Sequence, residues 1–451
     1  MRVAFISVLG LAAMGSAQRI KAVFGVLEGN GVSYLNSGLY YRWEDISDGT
    51  VSSFLGSTDI EPFANDLAYD PKTKLLFVVG GMPRGSVYAF DIWHSTIELP
   101  TSLDSIEARR IAIKDTLLLV TRARAPFFTA YRIAYNAQNG TLSLDSLWSP
   151  SHSLLRSVPE GILVWGDTAF ICLSYEPNTF VSDSIVLAIN LLTKQVVASW
   201  EVEANPSEIV RVKDSLYVAC YGDFSHDLNI ARIQPSNPTV QIWSAGDTSY
   251  GGFVTDTSGV RDTILFWGND GSLRGFNTKT GSPISGAYLG IASSGSPFFS
   301  YGLLWVGNQL HMSFTNFIDT SLIIMRDPTY VTTPPYTDTI FVSNGLGGIG
   351  YPSLRRFIYV EDDTSRGTTT SASVVDSHSG SFRYDAMRGL LIYDSLKEIS
   401  RVWIWNATGQ LMRYENTPAS QIYIGGLPSG VYFVTATTLD GRVLSHRFWK
   451  P

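Results

Sequence analysis

Charge, cysteine and long apolar runs are all scarce in this chain, and each scarcity excludes something. Charged residues make up only 16% of the sequence while hydrophobic ones make up 45%, the reverse of the balance that keeps a chain disordered. The formal net charge is −7 and there is no basic run. Nothing offers the positive footprint that a nucleic acid or an anionic membrane surface requires, so neither is expected as a partner. Past the first residues no stretch is long and apolar enough to span a bilayer. A 3.6-residue apolar period is missing too, so few helices are expected.

The chemistry-bearing motifs are also thin. The six histidines (His94, His152, His226, His311, His378, His446) never pair at metal-ligand spacing, so no metal site is expected. No G-x-S-x-G elbow, P-loop or C-x-x-C occurs. Gly345 to Gly350 matches G-x-G-x-x-G in spacing, but Tyr351-Pro352-Ser353 follows where a helix would have to open. It reads as a loop, and no cofactor is expected.

What is plentiful points to sheets. Aromatics reach 12% and glycine 40 residues; the first suit a pleated surface, the second its turns. Residues 1–17 read as a signal peptide: Arg2, an apolar Val3 to Ala13, then Gly15-Ser16-Ala17 before a cut ahead of Gln18. The mature chain is expected in an oxidising compartment.

Five stretches repeat one pattern of apolar strand, polar turn, apolar strand. Their turn residues Asp115, Asp167, Asp214, Asp262 and Asn308 fall 52, 47, 48 and 46 residues apart. A degenerate copy runs from Leu67 to Val78. Asp and Asn suit these turns because they bond their own backbone and tolerate unusual φ. Third strands follow at Ser86 to Asp91, Ser184 to Asn190 and Ser321 to Arg326, and fourth strands at Gln195 to Glu201 and Thr239 to Ser244. Four short strands per repeat of about 40–50 residues is the blade of a β-propeller. The count from Ala22 to Asp363 gives seven blades, with six or eight also compatible. The first blade would be completed by a strand from residues 348–360.

Pro159-Glu-Gly-Ile162, Pro206-Ser-Glu-Ile209, Phe170 to Ser174, Leu216 to Ala219 and the Ile189 to Thr193 turn resemble YVTN-type seven-bladed propellers of bacterial surface and secreted proteins. Val26 to Asn30 is similar to the start of those in Bacteroidota. The tetrapeptide itself is absent. This resemblance covers residues 20–360 and implies a fold more than an activity.

Residues 364–381 are small and polar, as linkers are. Beyond them, Val402 to Asn406, Gly409 to Met412, Ile422 to Ile424, Leu427 to Val434 and Gly441 to Phe448 read as short strands with period-2 apolar positions. They predict a small β-sandwich over 382–451. The Gly409 turn, the Leu427-Pro-Ser-Gly-Val-Tyr-Phe-Val434 core and the basic closing strand resemble the C-terminal sorting domain of the type IX secretion system. That resemblance implies the outer-membrane secretion machinery as a partner, and a protein secreted or attached to the outer cell surface. The organisation expected is therefore a signal peptide over 1–17, an all-β propeller over 18–363, a linker over 364–381 and the sorting module over 382–451.

In propellers the first strand of each blade lines the axis, and its start meets the ligand face. Those starts hold Asn65-Asp66, Arg109-Arg110, Glu160, Ser207-Glu208 and Tyr301. Asn65, Arg109, Glu160 and Glu208 are the candidate ligand-binding residues at the channel mouth, and Arg109 beside carboxylates would equally form an ion network with no ligand. Cys172 and Cys220 align one position apart in adjacent repeats, which puts them on opposite faces; a disulfide between blades and two buried thiols both fit. The leading function is a binding module for an extracellular protein, glycan or small ligand. The alternatives are a propeller lyase or hydrolase acting on a polymer, whose site residues would be scattered in sequence, and a structural surface component.

Overall fold

The computed structural model describes residues 19–27, 37–45, 51–61, 64–81, 84–91, 97–285 with short gaps, 299–306, 309–315, 320–326, 338–342, 354–363, and the strands between 382 and 450. The signal peptide and the linker lie outside these residues. By contacts the described residues divide into two compact units, one holding residues 21–44 and 51–361, the other 362–451 together with residues 19, 20 and 45.

The described residues of the first unit form sheets of four strands each, as a β-propeller is built. Their order along the chain is regular. The second sheet contains Asp66–Asp70, Leu75–Val79, Val87–Asp91 and Ile97–Leu99. The third contains Ala108–Lys114, Leu117–Arg122, Phe128–Asn136 and Thr141–Trp148. The fourth contains Val158–Trp165, Thr168–Tyr175, Ser182–Asn190 and Gln195–Glu201. The fifth contains Pro206–Val212, Ser215–Cys220, Asn229–Ile233 and Val240–Ser244. Each is an antiparallel meander whose strands pair in sequence order. The sixth starts with Val254–Thr255 and the seventh with Phe299–Val306.

The first sheet departs from that order. Arg19–Leu27, Ser37–Asp45 and Val51–Ile60 are joined by Leu354–Asp363, which lies beside Arg19–Leu27.

The core lies between sheets, and period-2 alternation puts it there. In Thr168–Tyr175, Ala169, Ile171 and Leu173 face the third sheet's Leu119, Phe128 and Ala130. The intervening Phe170 and Cys172 face the fifth sheet's Leu216, Val218 and Cys220. Tyr217 and Ala219, on the other face, pack on Ile264, Phe266 and Phe276 of the sixth. The second to sixth sheets are thus apolar on both faces, which is why their second strands read as near-continuous apolar runs such as Leu75–Val79, buried throughout.

The first strands of successive sheets touch one another from Asp66–Asp70 through Phe299–Val306. Each sheet therefore has a strand-start end, where its first strand begins, and a hairpin end, where that strand turns into the second. The Asp turns read from sequence sit at the hairpin end. Asp115 takes φ 55° itself, Gly166 takes φ 60° ahead of Asp167, and Lys213 takes φ 53° ahead of Asp214. Asp70 makes the degenerate turn, accepting from the backbone N–H groups of Lys72 at 3.0 Å and Thr73 at 3.3 Å.

One expected hairpin differs. The repeat pattern predicts an apolar strand running straight into a tight turn at Asp262, but the strand is Val254–Thr255 and a longer connection leads to Thr263–Trp267. Gly259, at φ 65°, donates to the Asp256 carbonyl at 2.7 Å and accepts from Lys213 of the fifth sheet at 2.8 Å. The connection is spent on a turn and an inter-sheet bond.

The second unit holds two sheets. Phe382–Asp385, Leu390–Tyr393 and Gln421–Tyr423 form one; Leu411–Glu415, Ile399–Asn406, Gly430–Thr438 and Val443–Lys450 form the other. Val402 and Ile404 are buried at alternate positions. Tyr432 is buried as well, its hydroxyl donating to the Pro428 carbonyl at 2.7 Å.

Candidate functional site

The strand-start end of the second, third and fourth sheets carries a dense polar cluster. Arg109 and Arg110 open the strand Ala108–Lys114, so alternation sends their side chains different ways. Arg110 is the buried one, with its side chain 7% exposed. Its Nη1 donates to the Asn65 carbonyl at 2.5 Å and its Nε to the Glu160 carbonyl at 2.6 Å. One guanidinium thereby ties three sheets. Its Nη2 also lies 3.8 Å from Glu160 Oε2.

Arg109 approaches the same carboxylate from the more open side. Its Nε donates to Glu160 Oε1 at 2.9 Å, and its Nη2 contacts that oxygen too. Its side chain stays 20% exposed against 11% for Glu160. Burial is the largest influence on Arg109 and disfavours its charge, but the Glu160 carboxylate and Tyr175 together outweigh it and raise the guanidinium pKa above its ordinary value.

Tyr175 ends the second strand of the fourth sheet, paired with Val158 at the same end. Its hydroxyl reaches Glu160 Oε1 at 3.5 Å, the outer limit of a hydrogen bond. Burial, then the nearby Glu160 charge, pushes its pKa up. The arrangement presents a carboxylate between two guanidiniums, with a phenol beside it and Arg109 partly open. It can donate and accept hydrogen bonds side by side.

Of the four residues singled out from sequence, Asn65, Arg109 and Glu160 come together. Asn65 contributes its backbone carbonyl to Arg110. Glu208 is turned elsewhere: its Oε2 accepts from the Phe253 backbone N–H at 3.2 Å, tying the fifth sheet to the sixth. Asp66 makes the matching tie from the second sheet to the third, accepting from Ile111 N–H at 3.0 Å. The cluster also contains Arg110 and Tyr175, which are not among those four candidates. Arg110 carried a signal, since it stands in an alternating strand where its neighbour Ile111 is core.

Cys172 and Cys220 are free thiols, both buried, in one apolar cluster between the fourth and fifth sheets. Burial pushes both thiols up, Cys220 to about 12. Among the described residues no three His, Cys, Asp or Glu side chains gather as a metal ion would need. Nor is any helix among them long and apolar enough to cross a membrane.

No known protein family matches the sequence, and no curated protein matches it. Among solved structures, apo AztD from Citrobacter koseri is similar at TM-score 0.45 and 11% identity, over 76% of this chain and 98% of that one. The computationally designed Ika8 protein is similar at TM-score 0.36 and 11% identity, over 86% of this chain and 96% of that one. Both likenesses are too distant to say what this chain does.

Proposed function

We propose that the chain is a secreted or surface-displayed seven-bladed β-propeller that works as a binding module, exported through a C-terminal β-sandwich over 382–451. The observation that carries the binding reading is the cluster of Arg109, Arg110, Glu160 and Tyr175 at the strand-start end. It spans adjacent sheets and leaves Arg109 partly open, which suits a polar ligand. Two features support the propeller: first strands that touch in succession, and a first sheet that takes its fourth strand from residues 354–363. Contact between Phe382–Asp385 and Val443–Lys450 supports a sandwich in the second unit. Export rests on the signal-like start and on the resemblance of residues 382–451 to sorting domains.

Two measurements test this. Mass spectrometry of native-host supernatant and outer membrane is expected to find a chain starting at Gln18 and ending near residue 380; an intact chain held in the periplasm overturns the export reading. A thermal-shift screen of the full chain against small sugars, carboxylates and amino acids is expected to find a compound that stabilises the wild type but not Arg109→Gln. A screen in which no compound separates the two overturns this site.

A further inference from the structure

The loop over residues 176–181 joins the second and third strands of the fourth sheet at the strand-start end, and it displays an aromatic ring. Phe180 is 74% exposed and Val181 beside it 65%. A lone surface aromatic is unremarkable. Three observations set this one apart. Its backbone sits at φ 57°, a region that bulky residues rarely occupy and that marks functional positions when the surroundings enforce it. One face of the ring stacks on Tyr175, with centroids 5.9 Å apart and planes 23° from parallel, and Tyr175 in turn reaches Glu160. Finally, one side chain holds the loop in shape. The Glu176 carboxylate accepts from Asn178 N at 3.0 Å, Thr179 N at 2.6 Å and Asn178 Nδ2 at 2.9 Å. Backbone bonds from Phe180 N to Glu176 O and from Glu176 N to Val181 O, both 2.9 Å, close it.

We propose that Phe180 is the platform of a carbohydrate site, on whose open face one neutral pyranose ring of an oligosaccharide stacks while the next ring along the chain reaches the Arg109 and Tyr175 cluster. This deepens the binding-module reading and rests on it. A sugar ring has an apolar C–H face and a rim of hydroxyls, each both donor and acceptor. The structure supplies the matching pair: an open aromatic face and, one stacked ring away, a guanidinium and a phenol next to a carboxylate. The net charge of −7 disfavours the other stacking ligand, a single-stranded nucleic acid.

The test is isothermal titration calorimetry of the full chain with the hexaoses of cellulose, laminarin, xylan, mannan and chitin. At least one is expected to bind, about two- to tenfold weaker in Phe180→Ala, the size of one lost stacking contact, and undiminished in Phe180→Trp. Phe180 is exposed, so the melting temperatures should agree and exclude misfolding. A hexaose that binds Phe180→Ala as well as wild type overturns the platform and leaves the binding module standing. Binding by none of the five overturns the carbohydrate assignment. The Arg109→Gln thermal-shift comparison then reads out the binding-module proposal on its own.

Discussion

The two ends of the sheets solve the same problem in different ways. At the hairpin end, contacts between neighbouring sheets recur from sheet to sheet, and the ion pairs among them are exposed. Lys114 reaches Asp167 at 3.7 Å, and Lys213, equally one residue before its turn Asp, reaches Asp262 at 2.6 Å. Between them Arg211 lies over Trp165 at 4.3 Å, and further on Arg261 lies over Trp305 at 5.2 Å. At the strand-start end, the contacts between the second, third and fourth sheets are buried and share one carboxylate between two cations. A contact that repeats with the repeat is scaffold. A buried cluster that, among the described residues, occurs at one place in the series is a feature the repeat itself does not demand.

That contrast can be broken in order of expected effect. Glu160→Ala should cost the most. It leaves Arg109 and Arg110 without their carboxylate, and removing one partner of a buried pair costs about 3–5 kcal/mol. Denaturant unfolding reads it, and a loss under about 1 kcal/mol, the range of an exposed pair, would equate the two ends. Gly161→Ala comes next. A Cβ there would meet the Ser207 carbonyl at 2.9 Å and the Cys172 sulfur at 3.1 Å, between the fourth and fifth sheets. Overpacking of this kind costs about 1–3 kcal/mol, and a variant as stable as wild type would show the strand-start end to be loosely packed. Lys213→Ala should cost least, roughly 0.2–1 kcal/mol, because the pair with Asp262 is solvent-exposed and screened.

A pH titration sharpens the comparison from the hairpin end. The Tyr135 hydroxyl donates to Asp91 at 2.6 Å, and burial followed by this bond raises its pKa from 10.0 to about 12. A raised pKa means that the neutral form is favoured in the folded chain. The contribution is fully present below pH 10 and is lost as pH climbs towards 12. Tyr135→Phe should flatten that part of the stability curve. A variant that loses stability over this range as steeply as wild type would assign the loss to other groups.

The hairpins were legible in the sequence because their cause is local. Asp115 and Asp214 make their turns within a few residues, and the alternation of Leu216 to Cys220 shows directly which side chains face which neighbour. Where the Glu208 carboxylate points is not legible, for the opposite reason. The direction of its carboxylate is set by the backbone of Phe253 in the next sheet, 45 residues on. The Arg109–Glu160 pairing, at 51 residues, was readable only as two charges at equivalent strand starts. Phe180 left no signal at all, since a Phe in a Pro-Asn-Thr loop looks like any surface aromatic until its φ and its stacking on Tyr175 are seen.

The strand Leu354–Asp363 beside Arg19–Leu27 has a consequence for how the chain comes into being. During synthesis the opening segment emerges first, yet its partner is the last piece of the unit to appear. Until then the first sheet keeps a bare edge, an invitation to pair with the wrong strand. Intermediate sheets can settle as they are made, because their strands are sequence neighbours, but the first cannot. A nascent chain halted before residue 354 is therefore unfinished at its beginning rather than at its end. A holding chaperone would be needed most at residues 19–27.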